Sequence, residues 1–298
     1  MKLYIVDAFT ETVFGGNPAG VVLLDEGADF PEAKKMLLTA AELRYSETAF
    51  VKPLGNGHYH TRYFTPTDEV DLCGHATIAV FTVLQTEGMI TAGSTLINKT
   101  LAGDLQIYSE PNRVMMEMAT PQELGRITDS GALSELYKVM GLSKEDVCVN
   151  NMHGSNTNLL PAMISTGLPD IIMPVASPAR LSEITPDYHL LSDLSKRYNV
   201  VGVHAFALAE GNVTAYCRNF APLYGIPEEA ATGTSNGALT YYLYLYGLLK
   251  SGEQCLFIQG REMDRPSRIE TRFEIKDAAL TIQVGGTGVI LAKGEIFI

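Results

Sequence analysis

The chain has 298 residues, of which 46% are hydrophobic and 19% charged. That composition builds one large or two medium domains and leaves little for disorder. A formal net charge of −12 opposes binding to nucleic acid, whose phosphates require clustered Lys and Arg. It leaves open a small anionic substrate at one locally positive site.

The first segment, MKLYIVDAFTET, lacks the long apolar stretch of a secretory signal, and no later apolar run reaches bilayer length. A cytoplasmic protein without a membrane partner is expected. Cys73, Cys148, Cys217 and Cys255 stand far apart with no C-x-x-C spacing. They read as free thiols in a reducing compartment. Strands are predicted over 2–9, 20–24, 48–52, 58–64, 95–97, 105–108 and 113–118. A second series covers 158–163, 200–208, 213–220, 254–258, 268–275, 280–284 and 289–296. Amphipathic helices fit 31–43, 132–140 and 186–198, with Pro31 and Pro186 in their first turns.

Two further helices are expected, from about Gly74 to Glu87 and from about Thr234 to Leu249. Both are apolar nearly all round, so each should be buried within a sheet. Their approaches match. RYFTPTDEVDLCGHATIA and RNFAPLYGIPEEAATGTSNGAL both carry R-x-F-x-P and then reach a glycine at the helix start. The second copy is three residues longer between proline and glycine. This implies an internal duplication. The expected class is α+β, with two similar domains, each a curved and mostly antiparallel sheet around one buried helix. The first would span 1–119, joined by about 287–298, and the second 120–286. A cleft between them would bring both helix starts together.

A helix N-terminus offers unpaired N–H groups and the positive end of the dipole, which suits a carboxylate. Gly74 and Gly233 either admit such a ligand close to the backbone or simply ease a tight turn. His75 lies at the same positive end, so a neutral ring is expected, either as a proton donor or acceptor or as a local cap. Cys73 could be an activated thiolate. However, Thr232 aligns with Cys73 and Thr234 with His75, so the second copy has no partner thiol. Cys73 therefore reads as a small buried residue. His58 and His60 alternate on one strand face with no third ligand in view, so no metal site is expected. GGNPAG (Gly15–Gly20) lacks the lysine and spacing of a phosphate-binding loop and reads as a turn lining the cleft mouth, where Asn17 is a candidate substrate contact.

SETAF (Ser46–Phe50), DLCGHAT, RNFAPLYGIPEEAATGTSNGAL and QGREMDRPSRI (Gln259–Ile269) resemble the phenazine-biosynthesis isomerase family, the PhzF-like proteins. The likeness extends from VDAFTETVFGGNPAGVV to the last strands. It implies the two-domain fold of diaminopimelate epimerase and proline racemase, a homodimer, and no metal or organic cofactor. It also implies that Glu47, after Ser46 and before Thr-x-Phe, carries the proton in catalysis, and that Gly74 and His75 form the Gly-His pair of the first helix. The family's second-half motif E-D-P-x-T-G-S reads EEAATGT here, so Glu229 stands for the aspartate, Ala230 for the proline and Thr234 for the serine, with Gly233 beside it. M-G-R-P-S becomes MDRPS, with Asp264 for glycine. Independently, moving a proton between carbons needs a group that takes it and returns it, and a carboxyl does so best when burial raises its pKa. Without the resemblance, Glu47 also fits an exposed strand-edge carboxylate. The leading expectation is a cofactor-independent isomerase of a small carboxylated substrate. An amino-acid epimerase or racemase lacks its thiol pair. A binding or regulatory protein would account for the altered EEAATGT.

Overall fold

KLYIVDA and NPAGVVL are buried along most of their length, as expected for strands covered on both faces. They pair antiparallel as β1 (Lys2–Ala8) and β2 (Asn17–Leu23). The computed structural model that contains them describes residues 1–143, 146, 159–277 and 279–298. The chain divides into two compact units. One is Met1–Glu117 with Arg265–Arg268 and Gly285–Ile298; the other is Met118–Asp264 with Ile269–Val284.

In the first unit, β18 (Gly288–Glu295) pairs antiparallel with β1, and β2 runs parallel to β3 (Thr48–Gly55). The crossover between β2 and β3 is α1 (Ala33–Leu43), which buries Met36 and Ala40 against Val22, Phe50 and Phe64. β3 pairs antiparallel with β4 (His58–Phe64), which carries the short antiparallel β5 (Glu69–Val70) and then the parallel β6 (Thr95–Thr100). β7 (Gly103–Glu110) and β8 (Arg113–Glu117) complete a meander. The crossover from β4 to β6 contains α2 (Gly74–Thr86). Every residue from His75 to Leu84 is buried, and the helix packs on β1, β2, β3, β8 and β18, so the sheet wraps it. Ile78, Phe81 and Leu84 are fully enclosed, each stabilising the fold by roughly 1.5–3 kcal/mol relative to exposure.

The second unit repeats this order of pairings. β9 (Gln122–Arg126), β10 (Ala162–Ser165) and β11 (Pro169–Pro174) are successively antiparallel. β11 is parallel to β12 (Val203–Leu208), across α4 (Pro178–Ser182) and α5 (Tyr188–Tyr198). β13 (Ala215–Ala221) is antiparallel to β12, carries the short antiparallel β14 (Ile226–Glu229), and is parallel to β15 (Gln254–Gln259) across α6 (Gly233–Leu245). Between β9 and β10 in the chain lies α3 (Ser130–Val139), which with α5 shares a core with Ile171, Met173, Val203 and Ala205. β16 (Ser267–Lys276) and β17 (Ala279–Gly286) follow.

The duplicated R-x-F-x-P has a physical role in each unit. Arg62 stacks on Phe64 and forks onto Glu69 of β5, with N–O distances of 2.7 and 2.6 Å. Arg218 stacks on Phe220 and forks onto Glu228 of β14 at 2.8 Å for both bonds. Planar bidentate pairing of this kind is specific to arginine. It ties the short strand that precedes each buried helix.

Several expectations need correction. Pro31 and Pro186 are outside the helices: α1 begins after Glu32, and α5 begins after Asp187, whose carboxylate accepts the His189 and Leu190 N–H groups. In GGNPAG only Gly15 and Gly16 lie outside β2; the remainder is strand. The expected helix to Leu249 ends at Leu245, and Tyr241 and Tyr244 on it are only half-buried. β5, β9, β11, β14 and α4 were not anticipated. Cys73, Cys217 and Cys255 are buried; Cys148 and the start of the expected 158–163 strand lie outside the described residues.

Candidate active site

The side chains at the start of α2 converge on His75. The ring is 3% exposed. Asn17, the first residue of β2, places Nδ2 3.2 Å from Nδ1. Cys73, the residue before the helix, places Sγ 3.4 Å from the same nitrogen. An amide N–H and a thiol S–H are donors, so Nδ1 accepts and the ring proton sits on Nε2. Nε2 in turn faces Ser46 Oγ at 3.2 Å and Glu47 Oε2 at 3.2 Å. Burial pushes the His75 pKa below its ordinary value, and the neighbouring Glu47 charge only partly opposes this. The neutral ring expected from the helix dipole thus owes its state first to desolvation.

Glu47 lies in the bend between α1 and β3, with its side chain 12% exposed. Oε2 is within ion-pair distance of Nε2, yet no hydrogen bond is aligned to it, and it is buried. An enclosed carboxylate oxygen without such a partner is uncommon, and it marks Glu47 as a candidate functional group.

Glu47, Cys73 and His75 are also the described residues whose ligand atoms fit within 4.8 Å of one another. Sγ lies nearer Nδ1, at 3.4 Å, than Nε2, at 3.9 Å, whereas the carboxylate faces Nε2.

Glu229, Gly233 and Thr234 belong to the second unit. Thr232 does not cap α6; its hydroxyl donates to Glu229 Oε2 at 2.8 Å. Gln259 accepts from Thr232 N–H at 3.2 Å and Asn236 Nδ2 at 2.9 Å, and donates to the Glu229 carbonyl at 2.7 Å. The Thr234 carbonyl accepts the Thr166 hydroxyl at 2.8 Å. Beneath this start lies a buried cluster. Asp170 accepts from Ser235 Oγ, from Asn219 Nδ2 at 3.2 Å and from Gly202 N–H at 2.8 Å. Asn219 also approaches His204 Nδ1 at 3.3 Å. Burial raises the Asp170 pKa and pushes His204 down to about 3.

The first unit therefore gathers Asn17, Ser46, Glu47, Gly74 and His75 in one place, and the second gathers Glu229, Gly233 and Thr234. Neither Gly74 nor Gly233 has the positive φ that would by itself require glycine, and neither helix start is closed by a side-chain cap. Cys73 is the small buried residue expected, and its sulfur also touches the histidine ring; spacing within DLCGH is the signal that points to this contact. The Asp170–Asn219–His204 cluster and Gln259 had no local signal beyond being polar in strands.

Two relatives are named as isomerases over nearly their whole length. An uncharacterised isomerase of Deinococcus radiodurans is 36% identical, covering 97% of this chain and 92% of its own. The trans-2,3-dihydro-3-hydroxyanthranilate isomerase of Pseudomonas chlororaphis is 32% identical, covering 98% of both chains. Among solved structures, the PhzF-family phenazine biosynthesis protein of Bacillus anthracis superposes with a TM-score of 0.87 at 26% identity, covering 100% of this chain and 99% of its own. The fold is α+β, and the enzyme class is isomerase. Residues 6–294 match the phenazine biosynthesis-like protein family, and the chain belongs to that family.

Proposed function

We propose that this enzyme is a cofactor-independent isomerase that moves a proton within a small carboxylated substrate, with Glu47 as the general acid/base. The observation that supports this best is the buried Glu47 Oε2, 3.2 Å from His75 Nε2 and without an aligned hydrogen bond. In this reading the Glu47 carboxylate takes a proton from one carbon, the double bonds shift, and the same proton is returned at another carbon. No atom or electron is gained or lost. His75 Nε2–H donates a hydrogen bond to the substrate or to Glu47 while Asn17 holds the opposite nitrogen. The uncapped start of α2 at Gly74 receives the substrate carboxylate. Gly233, Thr234 and Glu229, at the start of α6, are the second unit's candidate substrate-binding groups, and the protein acts as a homodimer.

The first substrate to test is trans-2,3-dihydro-3-hydroxyanthranilate, which names the activity of the Pseudomonas chlororaphis relative. Incubation in D₂O, followed by proton NMR, should give isomerised product with deuterium at the receiving carbon wherever the Glu47 proton exchanges before its return. The absence of both turnover and binding would exclude this compound as the substrate. A requirement for an added metal or redox cofactor with any substrate would contradict the mechanism.

A further inference from the structure

The segment Arg265–Arg268 belongs to the unit that holds His75, although the residues on either side belong to the other. Arg265 engages one edge of its guanidinium there, through Nε and Nη2. Nη2 donates to Asp7 Oδ1 at 2.6 Å and to the Gly15 carbonyl at 2.8 Å, and Nε donates to the Gly16 carbonyl at 2.8 Å. Asp7 is 1% exposed, and its other oxygen accepts the Phe14 N–H at 2.8 Å. The Pro266 carbonyl accepts the Gly16 N–H at 3.2 Å. The turn so held is not one the chain favours by itself. Phe14 has φ +68° and Gly16 has φ +60°, and a Cβ on Gly16 would lie 2.1 Å from the Ala8 carbonyl oxygen. Phe14 is 65% exposed, so its side chain does not hold the turn; the Arg265–Asp7 pair does. The next residue is Asn17, whose amide meets His75 Nδ1.

We propose that Arg265 is a positioning residue for the acid/base pair: its guanidinium fixes the Phe14–Gly16 turn and, through Asn17, selects the His75 tautomer that presents Nε2–H to Glu47. The importance of this proposal for turnover rests on the function proposed above; the geometric claim does not. A lysine could keep the charge beside Asp7 but not the planar fork that reaches two carbonyls as well. Loss of the fork frees Asn17 to move, and displacement of a group behind the reacting pair lowers turnover while leaving the binding groups in place.

The test uses protein labelled with ¹⁵N in its histidine rings, with the His75 signals assigned by their loss in His75→Asn. Two variants keep the turn free of an isolated buried charge: Arg265→Lys, and the double variant Arg265→Met/Asp7→Asn. Both should fold, and in both the His75 nitrogens should shift from the Nε2–H pattern towards a mixture of tautomers while the His204 signals stay unchanged. With trans-2,3-dihydro-3-hydroxyanthranilate, kcat should fall on the order of tenfold and KM should change little. In an Asn17→Ala background, Arg265→Lys should add almost nothing, because the contact through which it acts is already gone. Unchanged His75 signals in both folded variants, or kcat losses that simply multiply in the Asn17→Ala background, would overturn the proposal. If the wild type does not turn over this compound, the substrate assignment fails and the ring signals alone decide the positioning role.

Discussion

His204 offers a quantitative test of the polar cluster beneath α6. The ring is wholly enclosed, and burial holds its pKa at about 3 in the folded chain against an ordinary 6.5, outweighing the side chain of Asn236, which favours the charged form. Above pH 6.5 neither state carries the extra proton, so the group gives no pH dependence. Below it the unfolded chain takes a proton that the folded chain refuses, and stability falls as pH drops towards about 3. The slope is about 1.4 kcal/mol per pH unit, so acidification from about pH 7 to about pH 5 should cost about 2 kcal/mol through this residue alone. Asp170 acts in the opposite sense. Its raised pKa means that the folded carboxyl is protonated first as pH falls, which adds stability. His75, also depressed, acts in the same sense as His204. Urea unfolding of wild type and His204→Gln across this range separates these effects, since Asp170 and His75 are present in both. The variant should be less stable at neutral pH but lose about 2 kcal/mol less on acidification. Parallel stability curves would mean that His204 is not a buried neutral ring.

Three other outcomes follow from the packing. Cys73→Ser should keep turnover within about tenfold, because a hydroxyl can still donate to Nδ1 and the second copy offers Thr232 rather than a thiol; a loss of several orders of magnitude in a folded variant would restore a thiol mechanism. Gly16→Ala places a side chain against the Ala8 carbonyl at positive φ and should destabilise by roughly 1–3 kcal/mol; an unchanged thermal midpoint would contradict that geometry. Gln259→Leu leaves Thr232 N–H, Asn236 Nδ2 and the Glu229 carbonyl without their shared amide. With these three hydrogen bonds lost, at roughly 0.5–1.5 kcal/mol each, the melting temperature should drop clearly, and a drop within error would argue against the network.

The residues that announced the fold did so through local chemistry. The apolar run after Gly74 places α2 within one residue of its observed end, and alternation in HYHTRYF gives β4 as observed. The paired R-x-F-x-P motifs indicated a repeat because each arginine needs its phenylalanine and a carboxylate on the following short strand. Where prediction failed, a competing local signal prevailed. Pro186 looks like a first-turn residue, but Asp187 caps α5 and pushes the proline outside. Pro169 and Pro174 bracket β11 and, with the charged Asp170 beside the first of them, hide the short apolar run Ile171–Met173. α4, with Ser177 as its cap and Pro178 at its first position, carries a regular start signal but is only one turn or so long. In the site, Glu47 was legible through SETAF and His75 through CGH. Their contact was not, because Asn17, the Ser46–Glu47 pair and the Cys73–His75 stretch come from three separate parts of the chain. Arg265 was least accessible of all: its partners Gly15 and Asp7 lie about 250 residues away, and only the fold brings them within reach.

The central claim is that Glu47 carries the proton. Glu47→Gln keeps the size of the side chain and its place beside His75, but cannot cycle a proton. The decisive measurement is single-turnover conversion of trans-2,3-dihydro-3-hydroxyanthranilate by wild type and Glu47→Gln, with binding of the same compound measured separately by calorimetry. The variant should bind with near wild-type affinity and turn over more slowly by a factor on the order of 10²–10⁴. Conversion at the wild-type rate would contradict the claim and make Glu229 the carboxylate to test next.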